Sequence, residues 1–591
     1  MPKQTEPPSP DPKLPEQDSL ATGEDPAAAD AAEPEPTQPR HTSWLHRFKA
    51  WYLTNKKWTI AATCAVVILI LVAIPWSRYH AAGLVLKRNY SINIYDSTSH
   101  TPVSGASVTS GGKSVLTDGS GKASLRLPVG AHNFSFSKKY YQSRQISATV
   151  PILSQKTIPK IQLVATGRQV NITVTNLINK KALGDVEIAI ADVKAKTDKN
   201  GQALVAVPAN LSKAQATLSL SGYNDATATI KISDQSIESN AVSLTPAGKV
   251  YFLSKLSGKI DVVKANLDGT DRTTVIAGTG AEDDSGTVLL ASRDWKYLAL
   301  LARRDSDQAK LYVINTADEK LLTMDEGNAN FTPVGWQNHT FIYQVSRLGY
   351  QNWQPNANSI KSYNAQTGQL TTLANTNATG SSNADAQYEN IWEVKIVGND
   401  IVYTRTWYKY PGYLQVPGQQ DVVAAVHADG TDARQLKSVD AATAYFSNLT
   451  LVKPTTAYVG LYSSNGTADT SFYQLDKSGN FSQNSSIKDS DLTTEATYLA
   501  SPSGSQNFWS DERDGKNTLF VGDQDGNNAT QIASLSDYNI YGWYSDDYLL
   551  VSKNASELYV IPASGIKKDS DAIKITDYHK PSPNFYGYGG L

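Results

Sequence analysis

Over most of the chain, apolar and polar residues alternate in short runs broken by Gly, Asp, Asn and Pro. Ser91-Ile-Asn-Ile-Tyr95 and Val170-Asn-Ile-Thr-Val174 are examples. A period of two predicts half-buried antiparallel strands joined by tight turns. One stretch departs from this. Trp58 to Trp76 is uncharged, with Trp at each end. About 17 residues at about 1.5 Å each just cross a hydrocarbon core about 30 Å thick, so the stretch predicts a single transmembrane helix. A cleaved signal peptide fits less well, because the run is longer than a signal's apolar region and follows more than fifty mostly polar residues. A buried core helix would carry a polar stripe, which is missing.

The flanks give an orientation. Arg40, Arg47, Lys49, Lys56 and Lys57 precede the run, and Arg78, Lys87 and Arg88 follow it. The more basic side stays in the cytoplasm, so the expected topology is a single-pass signal-anchor, N-terminus in and C-terminal domains extracellular or periplasmic. Trp44, Phe48, Trp51 and Tyr52 look like an interfacial belt, so residues 44–80 read as juxtamembrane anchor plus span (58–76), with the lipid bilayer as partner. Residues 1–43 cluster Pro with Glu, Asp and Ala and contain almost no large apolar side chains, which predicts a disordered cytoplasmic tail.

Beyond residue 88 the chain repeats itself. Pro102-Val-Ser-Gly105-Ala-Ser-Val108 followed by Thr117-Asp118-Gly-Ser-Gly121-Lys-Ala-Ser-Leu125-Arg-Leu127-Pro128 is echoed about eighty residues later. The echo is Ala182-Leu-Gly184-Asp-Val186-Glu-Ile188, then Thr197-Asp198-Lys-Asn-Gly201-Gln-Ala-Leu-Val205-Ala-Val207-Pro208. In each Thr-Asp-x-x-Gly turn the carboxylate is expected to accept backbone N–H groups and the Gly to supply positive φ. The two copies, 89–166 and 168–247, resemble carboxypeptidase regulatory-like domains, which are prealbumin-like β-sandwiches. The second copy carries Ala182 in place of the signature Pro and Asp185 in place of its Ala. The resemblance implies a non-catalytic spacer or adhesive module. A calcium site at Asp118 or Asp198 is the rarer alternative to a plain turn.

From residue 249 to 591 a shorter repeat takes over. Phe508-Trp-Ser-Asp-Glu-Arg-Asp-Gly515-Lys-Asn-Thr-Leu-Phe-Val521-Gly-Asp-Gln-Asp525-Gly526 reads strand, turn, strand, hairpin, and Val250-Tyr-Phe-Leu-Ser254 with Leu267-Asp268-Gly269-Thr270 echoes it. Comparable turns end at Asp318, Gly368, Thr431, Gly479 and Gly565, about fifty residues apart, as in propeller blades of four strands. With Ser292-Arg-Asp294-Trp-Lys296 and Ser501-Pro502-Ser-Gly504 standing for the inner Ser-Pro-Asp-Gly turn, the region resembles a TolB-like, WD40-related β-propeller. Seven blades are predicted. The first lacks a strand before Val250, so the terminal Asn584 to Leu591 is expected to close the ring. The fold class is therefore mainly β: disordered tail, one transmembrane helix, two β-sandwiches in tandem and a C-terminal seven-bladed β-propeller.

Composition narrows the function. A net charge of −2 over 591 residues gives no footprint for nucleic acid. The single cysteine, Cys64, lies within the apolar run, so the remainder has no disulfide or Cys-based metal site, which is ordinary for a bacterial cell envelope. A Gly-x-Ser-x-Gly elbow, a His-Glu-x-x-His pattern and a phosphate loop are all missing. His339, His427 and His579 are too widely spaced to suggest a shared site, and Asp523-x-Asp525-Gly526-Asn527 lacks the terminal Glu of a calcium loop. No catalytic, cofactor or metal residues are assigned and no cofactor is expected.

Two links exceed what a scaffold needs: Arg347 to Pro355, with Tyr350 and Trp353, and Thr406 to Pro417, with Trp407, Tyr408, Tyr410 and Tyr413. Both join second to third strands of neighbouring blades, so they are expected side by side as a binding surface for an envelope or extracellular protein, or for a glycan. The alternative is a hydrolase or lyase with a carboxylate or metal site on the propeller axis, for which Asp294, Asp511 and Asp546 are the acids available.

Overall fold

The computed structural model describes residues 49, 54, 56–73, 75–378, 387–409, 416–464, 470–492, 498–513, 516–533 and 538–581. The tail at 1–43, Tyr410, Tyr413 and the terminal segment 584–591 lie outside them. The chain divides into two units, Met1–Ala82 and Gly83–Leu591.

The predicted membrane span is corrected. The apolar run forms two helices, Lys56–Ala73 and Pro75–Val85. A proline suits a first helical turn, where its missing N–H costs nothing. The first helix opens on Lys56 and Lys57, so its uncharged part, Trp58 to Ala73, is about 16 residues or about 24 Å, short of a hydrocarbon core of about 30 Å. The second carries Arg78 and His80. No helix among the described residues is long and apolar enough to cross a membrane.

Each repeat copy contains seven strands in two sheets of identical order. In the second copy Arg168–Asn176 lies between Gln202–Val207 and Glu238–Leu244, and the other sheet runs Val193–Lys196, Glu187–Ile190, Lys213–Ser219, Ala226–Lys231. Alternate residues Val170, Ile172 and Val174 pack with Ile188, Ile190 and Leu218 in one core, as the period of two requires. The shared turns have the expected chemistry. Asp118 Oδ1 accepts the N–H groups of Ser120 and Lys122, both at 2.9 Å, and Gly121 sits at φ +73°. Asp198 Oδ1 accepts those of Asn200 and Gln202, both at 2.9 Å, with Gly201 at φ +72°. These oxygens hold the turn itself.

The copies also share a joint. Asp96 closes the turn after the first copy's central strand by accepting the N–H groups of Thr98 and Ser99, and Asn176 does the same with Ile178 and Asn179. The other arm of each side chain meets the next body. Gln169 of the second copy donates to Asp96, and Asn176 donates to the Tyr548 hydroxyl at 2.6 Å.

From Val250 to Thr576 the described residues form seven antiparallel sheets in sequence order, the first of three strands and the rest of four. First strands of successive sheets touch at four junctions, Val250–Ser254 with Val288–Ala291, Ala329–Gln337 with Gln387–Val397, Gln387–Val397 with Ala444–Lys453, and Leu499–Ala500 with Tyr538–Ser545, as sheets arranged around a ring do. The ring closes because the first sheet shares a core with the last: Val250, Phe252 and Val263 pack with Leu550, Leu558 and Val560. Its missing strand comes from Tyr578 to Lys580. Ser254 bridges His579 antiparallel, Lys255 N–H donates to the Tyr578 carbonyl, and Lys580 N–H donates to that of Leu253.

Two tryptophans wedge neighbouring sheets together. Trp336 and Trp543 each follow a bulge in a first strand, and their indole N–H groups donate to Leu290 and Leu499 on the preceding sheets at 3.0 and 2.6 Å. Trp295 occupies the turn position that Gly504 holds in the sixth sheet. It keeps φ +59°, a costly value for a bulky residue, with its buried indole donating to the Trp543 carbonyl at 3.1 Å.

Candidate functional site: a cavity between the fourth and fifth sheets

The fourth sheet begins with Gln387–Val397 and the fifth with Ala444–Lys453. Both strands bulge, between Trp392 and Lys395 and between Ser447 and Thr450. An extra residue bends a strand and redirects its side chains. Here the bulges carry Glu393 at φ +52° and Asn448 at φ +62°, backbone values uncommon outside glycine. A clamp holds them. Glu393 Oε1 accepts the N–H of Asn448 at 2.7 Å, and Oε2 accepts that of Leu449 at 3.1 Å. The bent strands flank a cavity of about 780 Å³.

Aromatic faces form much of its wall: Trp392, Trp407, Tyr408, Tyr445 and Phe446. Trp392 is 52% exposed and Tyr445 41%, the largest apolar surface these two strands leave uncovered. Tyr408 stacks on Tyr388 with ring centroids 5.1 Å apart, and Tyr445 on Tyr462 at 5.7 Å, so both rings are held in place. Hydrogen-bonding groups line the rest, among them Asn352, Asn390, Thr406, Ser447 and Ser463. The amides form a network in which Asn352 donates to Asn390 and to the Tyr408 hydroxyl, and Asn358 donates to both asparagines.

Asp421 stands in the same wall and is fully buried. Its Oδ1 accepts the N–H of Trp407 at 2.8 Å, while Oδ2 has no partner. Burial pushes the carboxyl up to about 7, the single backbone donor pulling it down only in part. Nearby Glu389 is also buried but pairs with Arg405 at 3.0 Å, and burial raises its carboxyl against the pull of the guanidinium.

The sequence-predicted residues divide. The two long links do meet, through Asn352 and Tyr408. Trp407 and Tyr408 line the cavity; Tyr350 and Trp353 do not. Tyr350 lies outside it, 44% exposed under the Arg347 guanidinium at 5.3 Å from its ring. Sequence reasoning missed Trp392, Tyr445 and Asp421. Trp392 and Asp421 carry the available signal, a Trp and an Asp within runs of otherwise strand-forming residues.

Elsewhere, His339 and His427 line one smaller cavity of about 390 Å³, which corrects the inference from their spacing, because successive sheets bring distant turns together. Asp400, His427 and Asp432 place ligand-type atoms within 4.8 Å of one another. Arg434 already occupies that cluster, 2.6 Å from Asp400 and 2.6 Å from Asp432, and a metal ion would share both carboxylates with a fixed cation. Of the three acids considered for an axial site, Asp294 is held in a turn by His339 and Ser292 and Asp546 in a turn of another sheet by Ser503, while Asp511 lies within the strand Gln506–Arg513, opposite Thr518.

Among solved structures the chain is similar to an oligogalacturonate lyase in complex with manganese, at 12% identity over 55% of this chain and 87% of that one, TM-score 0.31. It is also similar to TolB from Acinetobacter baumannii, at 11% identity over 53% and 74%, TM-score 0.25. A third is an acylaminoacyl peptidase of Pyrococcus horikoshii, at 13% identity over 62% and 51%, TM-score 0.31. No family model matches the chain and no curated protein matches its sequence. The likeness is to a β-propeller-like fold and carries nothing about chemistry. The carboxypeptidase regulatory-like resemblance rests on its motifs.

Proposed function

We propose that this chain is a binding protein whose propeller takes a glycan in the cavity between its fourth and fifth sheets, the tandem sandwiches acting as spacers. One observation supports this above others: the exposed rings of Trp392 and Tyr445 share a concave site with single amide and hydroxyl groups. A sugar ring has an apolar face for stacking and a rim of hydroxyls that each need one hydrogen-bond partner, and this wall supplies both. A protein partner would find a flat aromatic patch more useful than a cleft of about 780 Å³.

Tryptophan fluorescence of the full chain, titrated with a panel of neutral, acidic and amino oligosaccharides, tests the reading. Saturable binding of at least one class is expected. Trp392→Ala and Tyr445→Ala are expected to weaken it about tenfold or more while lowering the melting temperature only slightly, since both side chains are about half exposed and neither belongs to the buried core. Full-strength binding by both variants would place the ligand elsewhere, and no binding by the whole panel would sink the glycan reading.

A further inference from the structure

The cavity's charge narrows the ligand. Its described wall holds two carboxyl groups, Glu393 and Asp421, and no Lys or Arg. The segments outside the described residues in this part of the chain, 379–386, 410–415 and 465–469, contain no Lys or Arg either. An anionic sugar, whether a uronate or a phosphate ester, would find no counter-charge. Glu393 is committed to the backbone of the fifth sheet. Asp421 is not committed: one oxygen has its single N–H donor and the other has none.

A buried carboxylate without a counter-ion is unstable, and its surroundings decide what completes it. On the adjoining strands Arg405 is tied to Glu389 and the Asn375 carbonyl, and Lys437 sits over the Tyr473 ring at 5.0 Å. Glu393 faces backbone N–H groups, Lys409 ends the neighbouring strand without lining the cavity, and Tyr408 stacks on Tyr388. Burial and the Trp407 N–H are what act on the group. Much of the remaining wall is aromatic, and ring faces attract cations.

We propose that the ligand taken by this cavity carries a protonated amine, as a deacetylated hexosamine does, with the Asp421 carboxylate as its counter-ion and the rings of Trp392, Trp407 and Tyr445 around the charge. The proposal rests on the glycan reading above and adds the sign of the ligand's charge. Binding supplies Oδ2 with an N–H donor and a positive charge at once, which a neutral hydroxyl does not.

The test is calorimetric titration of the full chain with three probes: a glucosamine tetramer, the N-acetylglucosamine tetramer of the same length, and choline, whose charge does not titrate. The deacetylated tetramer is expected to bind about tenfold or more tighter than its acetylated counterpart, and Asp421→Asn is expected to abolish that preference. Choline affinity for the unaltered chain is expected to fall about tenfold between pH 8 and pH 6, because a carboxyl with its midpoint near 7 is mostly ionised at the first and mostly protonated at the second. That pH series is independent of whether the variant folds. Equal binding of both tetramers would overturn the amine and leave the glycan reading standing. Choline binding lost in Asp421→Asn, with neither tetramer bound, would uphold the ammonium site and overturn the glycan. No binding of any probe would overturn both.

Discussion

Three junctions between the propeller's sheets are joined in two ways, two by an indole and one by a carboxylate, and the candidate site lies at the second kind. In the third and seventh sheets a bulge containing glycine, Gly335 or Gly542, is followed by a buried tryptophan whose indole bonds the preceding sheet. The indole fills the space at the bulge itself, and the cavity of about 680 Å³ at the junction of the sixth and seventh sheets opens among residues that include Asp523, Asp546 and Ala563. In the fourth and fifth sheets the bulges carry Glu393 and Asn448 instead, and a carboxylate reaching two backbone N–H groups does the joining. A carboxylate clamp is slimmer than an indole. It holds the strands together without filling the space between them, and the nearest tryptophan, Trp392, is left 52% exposed beside the resulting cavity. The wedged junctions are filled at the bulge by an indole, and the clamped one leaves a cavity between its bulged strands.

The sharpest way to break this contrast is to remove a wedge. Trp543 is 4% exposed, packs edge-on to Phe508 and donates to Leu499. Trp543→Ala deletes a large buried ring and leaves a carbonyl unpaired, so a loss of about 3–5 kcal/mol is expected in urea unfolding. A loss under about 1 kcal/mol would mean that the indole fills space the sheets do not need filled.

A smaller effect is expected at the clamped junction from Asp421. Its folded carboxyl is raised to about 7, above its unfolded value near 4, so the folded chain holds this proton more tightly. Below about pH 4 the group is neutral in both states and costs nothing. As pH rises toward 7 the unfolded chain ionises while the folded one resists, and stability falls by at most about 4 kcal/mol before levelling off. Asp421→Asn is expected to flatten that slope, leaving the variant at least as stable as the parent at pH 8. Parallel stability–pH curves for parent and variant would show that Oδ2 finds a partner in solution.

Much of the scaffold was legible because its signals are local. Asp118 and Asp198 bond N–H groups two and four residues on, and glycine marks the position that needs positive φ, so a five-residue motif contains its own explanation. The site was legible only in part. Trp407 and Tyr408 stood out in an over-long link, but Asp421 is distinguished by burial, and Glu393 acts on residues 55 and 56 positions away across a sheet junction. Its positive φ has no sequence signal, since glycine is not there to announce it. The ring's closure illustrates the same limit. Periodicity asked for a strand after the seventh sheet, but only the edge beside Ser254 identifies Tyr578 to Lys580 as residues that supply it. The apolar run was over-read for the opposite reason, because counting uncharged residues ignores where a helix begins and where proline starts a new one.

Glu393→Gln sharpens the comparison with the least disturbance. The side chain keeps its length and shape, but one carboxylate oxygen becomes an amide NH₂. Asn448 and Leu449 both present N–H donors, so the amide oxygen satisfies one and the NH₂ faces the other. A donor set against a donor, with one charge-assisted bond lost, costs about 1–3 kcal/mol. Backbone strain is not relieved, because glutamine at φ near +52° is as unfavourable as glutamate. The loss is therefore expected to appear as local opening: faster amide hydrogen exchange at Asn448 and Leu449, with exchange at the Trp543 junction unchanged. Uniform acceleration across the ring would mean that the clamp supports the whole propeller. Unchanged exchange at Asn448 and Leu449 would mean that the packing of Phe446 and Leu449 with Val402 and Val423 joins these strands without it, and the distinction between wedged and clamped junctions would fail.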